Sequence, residues 1–404
     1  MLQNNSKFQQ VFNQANLYIF LWCLYYAQGT FYPSGSIISQ GVLIVLLLMS
    51  MKNYFIAFTK YKLPLYFHGL NVLLLMFVLY GIGLILSGER LVVREYYTYS
   101  SNYEYLKAIL ISLLPAFSAY VYAKKGLFTL KSLKYWVPIW LIIAVISYYS
   151  YERNALSLIV SRDEVTNNIA YRFVALMPVF VIFYKKPLFM VLGLLFCLLF
   201  ILMGMKRGAI VIAALNLMFV IYQLYKTGNA QMKKYIILSF VCILVVLFFV
   251  VKEMLSTSEY FVARVDATLE GNSSGRDQLF SVFWNYYLNQ DSIINLLFGN
   301  GANATLRIGS NAAHNDWLEI LINQGLFGVY IYIYYFFNFY KSLLYKKVGN
   351  PFYYIGLKMI FLVTLLSTFF SMSYGTLDIF LTLTLGFFLA NIPAFSRKKT
   401  VLIV

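Results

Sequence analysis

The sequence predicts an all-α, polytopic membrane protein with about twelve transmembrane helices and a large, partly helical loop on its outer side. Two observations carry this prediction. Of the 404 residues, 61% are hydrophobic and 12% are charged, whereas about a quarter of the residues of a soluble domain are charged. The hydrophobic residues also form continuous runs, such as 192–203 and 235–251. A membrane barrel would instead show alternating polar and apolar residues. Helices therefore remain as the way to satisfy backbone hydrogen bonding in lipid.

Each apolar run long enough to cross a hydrocarbon core of about 30 Å predicts one helix. The chain then divides into residues 1–251 with nine helices, residues 252–313 as an outer loop, and residues 314–404 with three helices. Only Lys206 and Arg207 separate the seventh helix from the eighth. The predicted spans are 14–30, 35–51, 65–86, 107–123, 135–150, 168–184, 187–205, 208–225, 235–251, 314–340, 352–371 and 377–395.

The distribution of basic residues predicts the orientation. With the N-terminus inside, 19 of the 32 Lys and Arg residues and none of the 15 acidic residues fall in cytoplasmic segments. An excess of Lys and Arg on cytoplasmic loops sets orientation, so we expect both termini in the cytoplasm. The net charge of +17 therefore reflects lysines that face anionic lipid headgroups. It does not indicate a nucleic-acid partner.

The cysteines and the N-terminus add little chemistry. Cys23, Cys197 and Cys242 lie inside apolar runs without CxxC spacing, which predicts neither disulfides nor thiolate metal sites. A single lysine, Lys7, precedes the first apolar run, and no small-residue cleavage pattern follows it. We therefore expect the first helix to be retained and not removed as a signal peptide.

The most informative motif stands where the longest polar stretch enters the tenth predicted helix, at His314-Asn315-Asp316. Ionisable groups at membrane depth are costly and mark functional sites. His314 is the candidate catalytic residue, because an imidazole with a pKa near 6.5 can take a proton from a hydroxyl group. Asn315 either orients a substrate or caps the helix. One histidine at this face makes no metal-ligand cluster and no DxD motif occurs, so we expect neither a metal nor a cofactor.

Three arginines on the outer side are candidate anion-binding residues, because the planar guanidinium can donate two hydrogen bonds to one phosphate. Arg207 lies in the corner between the seventh and eighth helices, where anchoring at the membrane surface is the alternative. Arg172, one turn into the sixth helix, is the second. The third, Arg276, belongs to the outer loop.

Arg276 follows Ser274-Gly275 in a pattern typical of a capping box ahead of apolar residues at helical spacing. We expect an amphipathic helix on the outer membrane surface, with Arg276 in its first turn. The start of a helix adds a positive dipole end and unpaired N–H groups, which favour an anion. The alternative is that Arg276 only snorkels to the membrane surface or pairs with Asp277 or Glu270.

Taken together, these residues resemble the O-antigen polymerase and O-antigen ligase superfamily of bacterial envelope glycosyltransferases, enzymes of the lipid-linked, GT-C type. The resemblance rests on His314-Asn315, followed after nine residues by Gly325-x-x-Gly328, and on Arg207-Gly208-Ala209 and Arg276. It covers about 130 residues, from 206 to 337. Family members commonly have Ser-Arg-Gly at the corner, so Lys206 adds a charge here.

The resemblance implies metal-independent glycan transfer at the periplasmic face of the bacterial inner membrane. The donor it implies is a glycan on undecaprenyl diphosphate. In that chemistry His314 would act as general base, and Arg207 and Arg276 would stabilise the lipid diphosphate, with Arg172 and Asn315 as further substrate contacts. Membrane lipids, and a flippase and a chain-length regulator of the same pathway, are the expected partners.

Three functions remain open at this point. A polymerase joins lipid-linked repeat units into a longer polysaccharide, and we favour it on the number and variety of such proteins. A ligase transfers a finished chain to lipid A core and shares the motif. A transporter of lipid-linked sugars would show internal repeats and charged or broken helices at the midplane, and the sequence has no repeat and few such charges beyond Lys358.

Gly325 and Gly328 lie on the tenth predicted helix. Small residues allow close approach between membrane helices, so we expect a neighbouring helix to pack against this pair.

Overall fold

The computed structural model describes residues 13–28, 35–88, 103–156, 167–227, 230–257, 262, 266, 276–309, 312–344, 351–370 and 377–392. Helices dominate these ranges, which confirms the all-α prediction. The α-helices are α1 (Gln14–Tyr26), α2 (Ile37–Lys60), α3 (Leu65–Ser87), α4 (Tyr103–Lys124), α5 (Leu130–Leu156), α6 (Ala170–Leu176), α7 (Pro187–Met203), α8 (Arg207–Thr227), α9 (Ala230–Thr257), α10 (Arg276–Leu288), α11 (Ile293–Phe298), α12 (Ala304–Ile308), α13 (Asp316–Leu344), α14 (Pro351–Phe370) and α15 (Ile379–Asn391).

Each predicted span coincides with a helix of the structure. The sixth is α6 together with the 3-10 segment Met177–Phe183, in which Pro178 stands at the start. Seven helices in the described ranges, α2, α3, α4, α5, α8, α13 and α14, are long and apolar enough to cross a membrane, and shorter apolar helices accompany them. The protein is therefore a polytopic helical membrane protein.

The seventh and eighth predicted helices are separate, as the charge distribution requires. Helix α7 ends at Met203 and α8 begins at Arg207, with a tight turn between them. Several helices extend beyond their predicted spans, and α2 continues to Lys60. The reason is that backbone hydrogen bonding continues past the apolar segment into the polar interface, where hydropathy gives no signal.

The centre of the bundle is α15, whose residues from Ile379 to Ala390 are all buried. It packs along α4, and Gly386 makes this possible, since a Cβ there would overlap the backbone of Ala116. In the same way α3 packs along α13, where a Cβ on Gly69 would lie 3.0 Å from the Cα of Tyr335. Small residues at such crossings let membrane helices approach closely.

The outer faces of peripheral helices carry large exposed apolar side chains. On α2, Ile37 is 90% and Leu48 is 66% exposed, and on α9, Phe248 is 64% exposed. Contiguous apolar surface of this kind is costly in water. It is the surface that a surrounding lipid phase requires.

Helices α10, α11 and α12 lie between α9 and α13, in the predicted outer loop. Arg276 is the first residue of α10, as predicted, whereas Ser274 and Gly275 of the predicted capping box and Glu270 lie outside the described residues. One face of α10 is buried through Phe283 and Tyr287, which cluster with Ile322 of α13. The exposed side of α10 also carries apolar side chains, among them Trp284 and Leu288, so the helix packs against α13 without the uniformly polar outer face of the predicted amphipathic helix.

Candidate functional site

One end of the helix bundle encloses a cavity of about 530 Å³. Side chains from α1, α4, α6, α10, α14 and the segments preceding α8, α13 and α15 line it. The predicted topology puts all of these helix ends on the outer side of the membrane. The basic and acidic side chains that line the cavity are those of Arg172, Lys206, Arg276, His314 and Asp378.

His314 lies two residues before α13 and is half-buried. Its backbone has φ of 53°, a left-handed conformation that residues other than glycine adopt infrequently. Burial lowers the pKa of His314 below its ordinary value of 6.5, and the positive charges of Arg276 and Lys206 lower it further. The imidazole is therefore neutral at neutral pH, which is the form that can accept a proton.

The backbone leading into His314 is held by a buried carboxylate. Glu319, 4% exposed, accepts a hydrogen bond from the backbone N–H of Ala313 at 2.8 Å. It also accepts from the hydroxyl of Thr305 and from the side-chain amide of Asn323. These bonds join α12, the residue before His314 and α13, so they set the position from which the imidazole enters the cavity.

The first turn of α13 is capped by Asn315. Its side-chain oxygen accepts from the backbone N–H groups of Trp317 at 3.0 Å and Leu318 at 3.2 Å. Of the two roles considered for Asn315, the structure therefore shows the helix cap. Its side chain lines an apolar groove beside the cavity and is not among the residues that line the cavity.

Two further polar side chains of this turn have internal partners. Asp316, fully buried, accepts a hydrogen bond from the hydroxyl of Tyr332 at 2.9 Å. The indole N–H of Trp317 donates to the hydroxyl of Thr368 on α14 at 2.9 Å. The entrance of α13 is thus bound both within its own helix and to α14.

Gly325 interrupts α13 with φ of 65° and ψ of −164°. The interruption frees backbone carbonyls, and those of Ile322 and Asn323 accept from the N–H groups of Asn300 and Gly301, each at 3.0 Å. A Cβ on Gly325 would lie 2.5 Å from the carbonyl of Leu297. Backbone hydrogen bonds and close backbone packing therefore hold the outer loop against α13.

The end of a neighbouring helix approaches Gly325, as expected, but the expectation is wrong for Gly328. At Gly325 the close neighbour is the C-terminal end of α11, because Leu297 belongs to that helix and Gly299 follows it directly. A Cβ on Gly328 would overlap Gln324 and approach Ile320, two side chains of the same helix. Both glycines serve the kink of α13, because a bent helix brings its own turns close together on the inside of the bend.

The corner between α7 and α8 is a strained, tightly packed turn. Met205 has φ of 50°, and the carbonyl of Gly204 accepts from the backbone N–H of Asn167 at 3.0 Å. A Cβ on Gly208 would lie 2.5 Å from the hydroxyl of Tyr171. From this turn, Lys206 lines the cavity, and Arg207 is not among the lining residues.

Arg172 lines the cavity as part of a paired network. Its Nε donates to Asp378 at 3.3 Å and its Nη1 donates to Ser147 at 2.9 Å. Its guanidinium also stacks 4.4 Å from the centre of the Tyr26 ring, a favourable cation–π geometry. Asp378 in turn caps α15 by accepting from the N–H of Phe380 at 2.9 Å. The charge of Arg172 is therefore balanced within the cavity wall.

Residues 192–333 match the family described as O-antigen ligase. This segment of the chain is similar to the O-antigen ligase family. The match confirms the resemblance to the O-antigen polymerase and ligase superfamily. A search of curated proteins finds no match.

The matched segment extends from α7 into α13 and so includes Lys206, Arg207, Arg276 and His314. Arg172 and Asp378 lie outside the matched residues but line the same cavity. The family is one of glycosyltransferase-like enzymes, and ligase- or polymerase-like activity is the general function it indicates. Among the described residues, no group of three His, Cys, Asp or Glu side chains could hold a metal ion.

The structure brings together His314, Arg276 and Arg172 of the five residues predicted from sequence. It places Asn315 at a helix cap and Arg207 at the first position of α8. Sequence reasoning missed Asp378 and Lys206 as cavity residues. Lys206 had a signal, since its charge departs from the usual corner of the family. Asp378 had none, because its partner Arg172 is 206 residues away in sequence.

Proposed function

We propose that the protein is a glycosyltransferase that joins undecaprenyl-diphosphate-linked oligosaccharide repeat units at the periplasmic face of the inner membrane. The observation that carries this proposal is the convergence of a half-buried histidine, His314, with the cations Arg276 and Lys206 around one cavity. A base and an anion site are the two groups that the reaction needs. The expected partners of the sequence analysis follow from the same proposal.

The proposed step transfers the donor sugar from diphosphate to a hydroxyl group. The acceptor hydroxyl gives its proton to His314 as its oxygen attacks the anomeric carbon. A new carbon–oxygen bond forms, and the bond from the anomeric carbon to the diphosphate oxygen breaks. The diphosphate leaves with its electron pair and gains negative charge, which Arg276 is placed to stabilise. In this proposal the transfer uses no metal.

An apolar groove beside the cavity supports a lipid-carrying donor. The groove has a volume of about 460 Å³ and lies between α10 and α13, where Phe280, Trp284 and Leu321 line it. On α10, Phe280 and Trp284 follow Arg276 at intervals of four residues, so the three side chains lie on one helix face. A headgroup near Arg276 could therefore continue directly into an apolar chain in the groove.

Transfer of a finished chain to lipid A core is the second candidate function. The observation that favours it is the description of the matched family, O-antigen ligase. Both functions use the same base and the same anion site, and they differ in the acceptor.

The test reconstitutes the purified protein with undecaprenyl-diphosphate-linked repeat units, without and then with lipid A core, and resolves the products on a gel. We expect a ladder from the lipid-linked units alone. Product that forms only with lipid A core would establish the ligase instead. His314→Ala should abolish product in either case.

His68→Ala is the matched control. His68 is exposed near the N-terminal end of α3, which the predicted topology places on the cytoplasmic side, away from the cavity. This variant should leave product formation unchanged. Transfer that persists in the His314→Ala protein would contradict the assignment of the base. Movement of lipid-linked substrate across the bilayer without any transfer by the wild-type protein would instead indicate a transporter.

A further inference from the structure

We propose that Lys206, and not its neighbour Arg207, is the corner cation that binds the diphosphate of the donor. The inference rests on the proposed function and goes beyond it, since it moves the anion contact to a residue outside the usual family pattern. Lys206 lines the cavity together with Arg276 and His314, whereas Arg207 does not line it.

The geometry of the turn explains why these adjacent residues differ. Lys206 occupies the cap position of α8, where its carbonyl accepts from the N–H of Ile210 at 3.0 Å. Arg207 is the first residue within the helix. Successive residues of a helix point about 100° apart, so the two side chains leave the corner in different directions.

The rotation of α8 is not free to exchange the two side chains. Gly208 packs against α6 and α14, where a Cβ would lie 2.8 Å from the Cβ of Phe370. The hydroxyl of Tyr171 donates to the carbonyl of Phe370 at 3.2 Å and closes the same contact. A turn of the helix that brought Arg207 to the cavity would break this packing.

The charges of the cavity wall divide into two groups. Arg172 is balanced by Asp378, with a salt bridge at 3.3 Å and side chains that are 14% and 18% exposed. Arg276 and Lys206 line the same cavity as His314, and their positive charges both lower the pKa of its imidazole. Two cationic side chains therefore line the cavity that holds the proposed base, where the leaving diphosphate must lie.

The chemistry of the two side chains suits a diphosphate. Arg276 offers a planar fork that can hold one phosphate by two hydrogen bonds, and Lys206 offers a compact point charge for the other. Lys206 also stands at the N-terminus of α8, where the positive end of the helix dipole adds to the attraction for an anion. The alternative is that Lys206 acts only on the imidazole and does not contact the donor.

The test measures equilibrium binding of sugar-free undecaprenyl diphosphate to the full-length protein in lipid nanodiscs. Lys206→Met should weaken binding by about 10-fold or more, as expected for loss of a charged hydrogen bond. Lys206→Arg should retain affinity within about threefold, because it keeps the charge. If Lys206→Met does not fold, Lys206→Ser provides the same comparison with the residue common in the family.

Two other variants complete the experiment. Lys107→Met removes a charge at the same end of the bundle, from a lysine that pairs with Glu104 on α4 and does not line the cavity. It should bind like the wild type. Arg207→Met removes the neighbouring charge and should lose less affinity than Lys206→Met.

The outcomes separate this inference from the proposed function. Wild-type affinity in the Lys206→Met protein would overturn the inference. A larger loss of affinity in the Arg207→Met protein would also overturn it and would assign the contact to Arg207. A wild-type protein that binds undecaprenyl diphosphate no better than undecaprenyl monophosphate would overturn the proposed function itself.

Discussion

Glu319 accepts a hydrogen bond from the backbone N–H of Ala313 at 2.8 Å, and Ala313 is the residue immediately before His314. The same carboxylate binds the hydroxyl of Thr305 on α12. A buried acid of α13 therefore controls the peptide that carries the proposed base. The sequence around His314 contains this acid but does not indicate its partners, because Thr305 is 14 residues away from Glu319.

We expect Glu319→Gln to impair transfer by lowering the catalytic rate while changing donor binding little. The amide keeps the size of the carboxylate but has one acceptor oxygen in place of two, so either the N–H of Ala313 or the side-chain amide of Asn323 loses its acceptor. An unsatisfied buried N–H costs about 1–3 kcal/mol, so the midpoint of thermal unfolding should also fall. The check is to measure kcat and KM of the reconstituted protein beside its melting curve. Tyr332→Phe, which removes the partner of the neighbouring acid Asp316, is the control, and an equal loss of rate there would argue against a specific role for Glu319.

The pH dependence of transfer follows from the low pKa of His314. A general base acts in its neutral form, so activity should rise with pH through the pKa of His314, and that rise should lie below 6.5, the ordinary value. Burial and the charges of Arg276 and Lys206 disfavour the protonated form, while Asp378, the acid in the same cavity, is paired with Arg172. The buried acids Asp316 and Glu319 follow on α13 and bind Tyr332 and Ala313.

Lys206→Met tests the direction in which this charge shifts the pKa of His314. Loss of that positive charge raises the pKa of His314, so the rise in activity should move to higher pH. Rate profiles of both proteins from about pH 5 to pH 8 would check this. Identical profiles would mean that Lys206 does not act on the base.

We expect Gly325→Ala to destabilise the protein and detach the outer loop from α13. A Cβ at this position meets the carbonyl of Leu297 at 2.5 Å, and the positive φ adds backbone strain of about 1–3 kcal/mol. Gly83→Ala is the matched control, since its Cβ would meet nothing within 4 Å and helical alanine is favourable. Thermal unfolding in detergent measures both changes. Equal melting points for the two variants would contradict the backbone contact.

We expect Arg276→Lys to weaken binding of the lipid diphosphate although the charge is kept. A lysine cannot form the two parallel hydrogen bonds of the guanidinium fork. Loss of one charged hydrogen bond corresponds to about 10-fold in affinity. Binding of undecaprenyl diphosphate in nanodiscs measures the change, and full retention of affinity would exclude bidentate contact by Arg276.

The helices could be predicted from sequence because a lipid phase leaves the backbone no other way to satisfy its hydrogen bonds. Composition and the length of each apolar run therefore predicted the helices, and the distribution of basic residues predicted that α7 and α8 are two helices and not one. The polar ends of α2 and α5 were underestimated, since helical hydrogen bonding continues where hydropathy changes. The residues around His314 and Arg276 also allowed the motif and the start of α10 to be predicted from the local sequence.

The arrangement of the site depended on contacts between distant segments. Whether Lys206 or Arg207 faces the cavity depends on the left-handed turn at Met205 and on the packing of Gly208, and neither is a property of the local pattern. The pairing of Arg172 with Asp378 joins α6 to the start of α15. The sequence by itself determined the membrane helices and the residue types available for catalysis. Only the tertiary structure decided which of them meet, because one residue of rotation at a helix start redirects a side chain by about 100°.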